Sequence, residues 1–222
     1  MNEIIPWAAQ GVRVRVVDLP RPRFPGEDDA WASELAANPR LHDGPLLSIL
    51  DLDPASGLVT AARRTYRDLV LADRFPTGVL QFSVTLVVEA TGPDGIPRVL
   101  MGRRGEQTRI YPGMWEFVPA GGLEADADFD EREVLAQARR ELREETGAEF
   151  PLHAPALVAA LLDHHAHSLD LVLRARADLP ASPLPGSWES PHLEWVPRRD
   201  IRSRAIFPAL HLLAGFLWGD AA

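Results

Sequence analysis

The 222-residue chain contains no cysteine, which excludes disulfides, thiolate nucleophiles and cysteine-held zinc. Lysine is missing too, since all 23 basic residues are arginine. That removes the phosphate loop ending in Gly-Lys-Ser/Thr, the ATP-binding lysine of kinases and Schiff-base chemistry. Long apolar runs are absent: Val84–Val88 and the interrupted Ile206–Trp218 fall well short of the ~20 residues a membrane-spanning helix needs. There is no excess of positive charge. At a formal charge of −9, general nucleic-acid binding is not expected, because it needs a basic face to displace counterions. The first residues, Met1-Asn2-Glu3-Ile4-Ile5-Pro6, carry no basic leader with an apolar core, so the expected location is cytoplasmic. Arginine in place of lysine, with abundant alanine, suggests a GC-rich bacterial genome.

What is present is ordinary for a globular chain, at 46% hydrophobic and 25% charged residues. At roughly 150 residues per domain, the length suits one large domain with an attachment. Residues 11–19 alternate apolar and basic like a half-exposed strand, and Pro20, Pro22 and Pro25 end it. Glu27-Asp28-Asp29 open a short helix with Trp31, Leu35 and Ala36 on one face. Strands over Leu46–Leu52 and Leu58–Ala62 flank an Asp-Pro-Ala-Ser-Gly turn, and a helix covers Thr65–Leu71. Residues 1–78 thus read as an α+β subdomain docked on a larger domain over 79–222.

The larger domain begins with strands at Val79–Ala90, Arg98–Arg103 and Trp115–Pro119, the last running into Gly121-Gly122. A helix over 131–146 follows, with Val134, Leu135, Ala138 and Leu142 at helical spacing and Gly147 as its C-terminal cap. Strands at Leu157–Leu162, Leu169–Ala175 and His192–Val196, a Pro-rich loop through 180–191 and a closing helix at Pro208–Phe216 complete an α/β pattern around a mixed sheet. The apolar face of Ile206–Trp218 suits a core or a subunit interface equally, and a homodimer is the default assembly.

The most informative stretch is Arg139-Arg140-Glu141-Leu142-Arg143-Glu144-Glu145-Thr146-Gly147. Glu141, Glu144 and Glu145 stand at i, i+3 and i+4, so they leave the helix on nearly one face. Like charges there cost about 0.2–0.5 kcal/mol per pair, and the helix C-terminus disfavours anions further. A salt-bridged surface helix is the bland explanation. The preceding strand and Gly-Gly favour a site for a hard divalent cation, which takes several carboxylate oxygens.

This segment resembles the Nudix box, G-x5-E-x7-R-E-U-x-E-E-x-G-U with U apolar. Its second half matches at every fixed position, from Arg140-Glu141-Leu142 through Glu144-Glu145 to Gly147-Ala148. Its first half departs: Arg132 stands where the family has glutamate, and Gly122 lies about four residues too far upstream, so Glu124–Asp130 reads as an insertion. Glu131 or Glu133 would then supply the missing carboxylate. With its flanks, including Tyr111 to Pro119, the resemblance spans about residues 79–215. It implies a Nudix-type α/β/α sandwich around a mixed sheet, with an N-terminal α+β extension. A fainter similarity, through Asn38-Pro39-Arg40-Leu41-His42-Asp43-Gly44-Pro45 and Thr65-Tyr66-Arg67-Asp68, is to Nudix proteins that hydrolyse UDP-glucose and related UDP-sugars.

The resemblance implies metal-dependent hydrolysis of the pyrophosphate bond in a nucleoside diphosphate linked to another moiety, with UDP-glucose, giving UMP and glucose-1-phosphate, as the leading substrate. ADP-ribose and NADH are alternatives, as is a non-catalytic Nudix-fold module that senses a nucleotide. Mg²⁺ or Mn²⁺ would be held by Glu141, Glu144, Glu145 and the Gly121 carbonyl, with Arg140 orienting a carboxylate. Glu144 is the first choice of general base; Asp163, Asp170 and Glu189 are the others. Tyr66, Arg67, Arg103, Tyr111 and Trp115 are expected to touch the substrate. His165 and His167 would share a strand face and suggest a second metal, but a polar hairpin tip explains them more simply.

Overall fold

The computed structural model describes residues 1–219 except Ala125 and Ala181. Twelve strands form one mixed sheet: β1 (Glu3–Pro6), β2 (Arg13–Val17), β3 (Pro45–Asp53), β4 (Leu58–Thr65), β5 (Gln81–Thr91), β6 (Pro97–Arg103), β7 (Trp115–Phe117), β8 (Ala120–Gly122), β9 (Phe129–Asp130), β10 (His153–Asp163), β11 (Ser168–Arg176) and β12 (His192–Pro197). Among the described residues four α-helices accompany it, α1 (Glu27–Ala37), α2 (Tyr66–Val70), α3 (Glu131–Thr146) and α4 (Pro208–Trp218), with a 3-10 turn at Arg198–Ser203.

The hub is β5. Along its length it pairs in parallel with β11, from Ser168 opposite Gln81 to Arg176 opposite Glu89. On its other edge it meets β3 at Gln81, β8 over Ser83–Thr85 and β6 over Glu89–Thr91. Strand alternation sends successive side chains to opposite faces. Val84, Leu86 and Val88 therefore join one core with Val134, Ala138 and Leu142 of α3. Val87 joins another with Ala209, Leu210 and Leu213 of α4. A sheet with a helix on each face is the expected α/β/α sandwich.

The first 78 residues share this sheet. β1 pairs with β10, Glu3 opposite Leu162, and Ser48 of β3 pairs with Gln81 of β5. Val12, Val14, Leu47, Val59 and Ala61 belong to the same core as α3.

Three details depart from the sequence reading. β8 forms at Ala120–Gly122, where glycines signal a turn, because pairing with Ser83–Thr85 overrides weak strand propensity. Glu124–Asp130, whose Ala125 lies outside the described residues, ends in β9, paired with Arg13 and Val14. α1 is not anchored by an apolar stripe: Ala36 is exposed and the helix's one buried side chain is Glu27. That carboxylate accepts hydrogen bonds from Arg21 at 3.0 Å and Arg23 at 2.7 Å, so charge pairing docks the helix.

Candidate active site

The position of α3 follows from its ends and from one glutamine. Asp130 caps it by accepting from the Arg132 N–H at 2.8 Å, and Glu133 returns the favour to the Asp130 N–H at 3.1 Å. Gly147 closes the helix at φ 64°, in the left-handed region glycine tolerates. In between, Gln137 donates to the Gly122 carbonyl at 2.7 Å and accepts from the Glu124 N–H at 3.3 Å. This stitches the helix to the Gly-Gly strand, and the residues one and two turns on, Glu141 and Glu145, face that strand.

Glu141 sits against Gly121 so closely that a Cβ at position 121 would lie 2.5 Å from its carboxyl carbon. Glu145 is 6% exposed. It accepts from the Ala120 N–H at 3.0 Å and from the Ser190 hydroxyl at 3.2 Å. Glu144 points away, its side chain 63% exposed and 3.8 Å from Arg140 Nε. The three glutamates thus differ: two turn inward and one stands at the rim. Arg140 reaches both Glu141 and Glu144 at 3.8 Å, a charge contact rather than the two-point hydrogen bond expected of an orienting residue.

Further acids face this pair from other elements. Glu116 of β7 is buried and paired with Arg104, whose Nη1 donates at 2.6 Å. Burial pushes the Glu116 carboxyl up; Arg104 pulls it down, and Glu189 and Asp170 push it up again. Burial, with Glu116 and then Glu189, pushes Glu145 up to about 8. Glu141 is raised by burial and then by Glu144, with Glu189 and Glu124 adding to it. Asp170 is pushed up to about 6, chiefly by burial. One of its oxygens accepts from the Thr85 hydroxyl at 2.8 Å and the other has no partner among the described residues.

Acids that raise one another's pKa in a poorly solvated place favour a shared cation or shared protons. No three of them already converge as a finished metal cage among the described residues. The donors are nevertheless all oxygen, the chemistry of Mg²⁺ or Mn²⁺ rather than of softer metals. The Gly121–Glu141 approach, which any side chain at 121 would block, sets the Glu141 carboxylate directly against the strand backbone. Residues and ion fit.

The other expected residues are spread more widely. Tyr111 donates its hydroxyl to Asp163 at 2.8 Å and stacks on Phe207, ring centroids 4.3 Å apart. Trp115 bridges to Ile206 and lies 4.8 Å beneath the Arg204 guanidinium. Arg103 donates to the Gly113 carbonyl at 2.9 Å and to Glu106 at 2.8 Å. Tyr66 stacks on His42, and Arg67 pairs with Asp28 at 2.5 Å and Glu27 at 3.5 Å. None of these partners belongs to α3. Asp163 also accepts from the His165 and Ala166 N–H groups, so it braces the hairpin tip. His165 packs on Tyr111, whereas His167 contacts Asp73 at 2.9 Å, so the two do not converge. Glu133 completes the helix cap and Glu131 packs against Gly11, both in the first turn of α3, about 12 and 15 Å from Glu141 at 1.5 Å per residue.

Sequence reasoning missed Glu116, Glu124, Gln137 and Ser190. Glu116 carried a signal, a charge inside the apolar strand Trp115–Phe117, and Gln137 lies four residues before Glu141 on the same helix face. Ser190 and Glu124 reach the site through loop conformation and carried none.

The NUDIX domain model matches residues 80–214, more than half of the chain. Among curated proteins none matches the sequence. Among solved structures, the DR0079 protein of Deinococcus radiodurans is similar at TM-score 0.52 and 17% identity, over 78% of this chain and 99% of that one. RenU, a Nudix hydrolase from M. smegmatis, is similar at TM-score 0.46 and 16% identity, over 62% and 83%. The NUDIX domain of Shewanella oneidensis NrtR, solved with ADP ribose, is similar at TM-score 0.43 and 18% identity, over 64% and 91%.

Proposed function

The chain belongs to the NUDIX family of pyrophosphohydrolases, and from that premise we propose that it hydrolyses the diphosphate linkage of a nucleoside diphosphate sugar, UDP-glucose first among them, to UMP and glucose-1-phosphate. The observation that carries the reading is the inward pair Glu141 and Glu145, held against Ala120–Gly122 with Glu116 and Glu189 facing them. The UDP-sugar choice is supported by the Asn38–Pro45 and Thr65–Asp68 segments.

Glu141, Glu145 and the Gly121 carbonyl would hold Mg²⁺ or Mn²⁺, with Glu144 at the rim. When bound, the ion neutralises phosphate charge and acidifies water. The protein's own residues do the rest. Ala120 and Ser190 fix the Glu145 carboxylate, and Gln137 fixes the strand against the helix. Arg140 balances Glu141 and Glu144. The proton of the attacking water passes to Glu144 on the helix or Glu189 on the facing loop, and Glu144→Gln and Glu189→Gln separate them: the base is the one whose loss lowers kcat while metal affinity is kept. Asp163 and Asp170, engaged by Tyr111 and Thr85, are less suited.

The test is product analysis by chromatography with Mg²⁺ or Mn²⁺, using UDP-glucose, ADP-ribose, NADH and 8-oxo-dGTP, each with a chelator control. UMP and glucose-1-phosphate from UDP-glucose alone support the full reading. AMP from ADP-ribose or NADH moves the substrate class, and no metal-dependent product from any of them leaves a nucleotide-sensing module.

A further inference from the structure

Trp188 is 55% exposed in the loop between β11 and β12. A single exposed aromatic is unremarkable by itself, but the position of this one is specific. The next residue, Glu189, bears electrostatically on Glu116, Glu141 and Glu145. The one after, Ser190, donates to Glu145 at 3.2 Å. The loop is seated firmly. The Gly105 N–H donates to the Glu189 carbonyl at 2.7 Å, and a Cβ on Gly105 would fall 2.7 Å from the Trp188 carbonyl. The indole is therefore displayed from a rigid backbone one residue from the carboxylate site.

A second feature arrives from the first third of the chain. Arg40 carries its guanidinium over the Trp188 ring, 5.1 Å from the centroid. Arg21, Arg23 and Arg67 are all bound to carboxylates, but Arg40 pairs with none among the described residues. An aromatic plane with a cation that no described carboxylate pairs, carried on the loop that brings Glu189 and Ser190 to an acidic site, suits a ligand that is aromatic at one end and anionic at the other. A nucleotide has both.

We propose that Trp188 and Arg40 form the nucleotide-recognition platform, the base stacking on the indole and the guanidinium drawing in the diphosphate. This rests on the hydrolytic reading above and extends it, giving the Asn38–Pro45 segment a part in substrate binding. Stacking reads a π-face rather than a hydrogen-bond code, so the platform accepts purine and pyrimidine alike.

The experiment uses the full chain and two readouts. In steady-state hydrolysis of UDP-glucose, or of ADP-ribose if that is the compound turned over, Trp188→Ala raises KM about 10-fold or more with kcat within about twofold, and Trp188→Phe restores most of the loss. Arg40→Gln raises KM by a smaller factor that shrinks as salt is added. In calorimetry with chelator present, UMP and AMP bind more weakly to Trp188→Ala by a similar factor, while ribose 5-phosphate, which has no base, binds both proteins equally. Turnover by the wild type with unchanged KM and nucleotide affinity in Trp188→Ala overturns the platform and leaves the hydrolytic reading standing. So does a fall in Tm with normal affinity, which would make the Arg40–Trp188 contact a structural tie only. Nucleotide binding that needs Trp188 without any turnover supports the platform and sinks the hydrolytic reading. A wild type that neither binds nor turns over nucleotides overturns both.

Discussion

Burial and the neighbouring Glu116 push the Glu145 carboxyl up to about 8, so the Glu116–Glu145 pair retains a proton near neutral pH that metal binding at Glu145 must displace. Glutamine at this position reproduces the neutral acid's acceptor for the Ala120 N–H but cannot become an anion. Glu145→Gln is therefore expected to keep the wild-type Tm at pH 7 and lose at least ~100-fold in metal-dependent turnover; a variant that keeps full turnover removes the carboxylate from the mechanism. Mn²⁺ affinity of the wild type should strengthen as pH rises from 6 to 8, which calorimetry in buffers of different ionisation enthalpy would read as proton release. Asp170 shows the same physics as a stability effect. Its folded pKa of about 6 lies above the unfolded value of about 4, so the native state binds the extra proton and stability falls as pH rises through that window. Asp170→Asn, which still accepts from Thr85, should stabilise the protein by about 1–3 kcal/mol at pH 7.5. The gain should vanish at pH 4, as denaturant titrations at the two pH values would show.

At the scale of elements, α3 holds the site, and its two ends do different work. The Asp130–Glu133 capping box lies about 15 Å from Glu141, so Asp130→Ala should cost about 1 kcal/mol and lower Tm by a few degrees. Turnover per folded molecule should stay at the wild-type level, and a matching loss in kcat would mean that the helix transmits its N-terminal fraying to the carboxylates. This helix was legible in the sequence to the residue: apolar spacing at Val134, Ala138 and Leu142 and a stop at Gly147 are both local, whereas the Asp130 cap emerged only in the structure. The facing of its glutamates was legible only in part. Periodicity places Glu141, Glu144 and Glu145 together, but which of them turn inward depends on Gln137 reaching Gly122 and on Ser190 arriving from a loop 45 residues downstream. β1, β8 and β9 were hidden for the same reason. Each is two to four residues long and becomes a strand because a distant edge pairs with it. Glu27, read as the start of an amphipathic helix, is also the buried anchor of α1, since Arg21 and Arg23 from the preceding loop and Arg67 from α2 converge on it.

At the scale of the molecule, the family match begins at residue 80, yet the sheet does not begin there. A chain starting at residue 79 would strip β1 from the edge of β10 and β3 from the start of β5, exposing unpaired backbone on a central and an outer strand. It would also remove Val12, Val14, Leu47, Val59 and Ala61 from the core that backs α3. Burying side chains of that size is worth about 1.5–3 kcal/mol each for the larger ones, which together rivals the 5–15 kcal/mol that holds a typical domain folded. Asp68, buried and bound to Arg21, ties this first third together in turn, so the segment acts as a unit. The expectation is that residues 79–222 alone aggregate or melt without a cooperative transition, and that adding residues 1–78 as a separate chain does not restore the native circular dichroism quickly. A soluble fragment with a sharp thermal transition would make the first third a true attachment, and its turnover would then show whether Arg40 and the segments around it serve the substrate or only the fold.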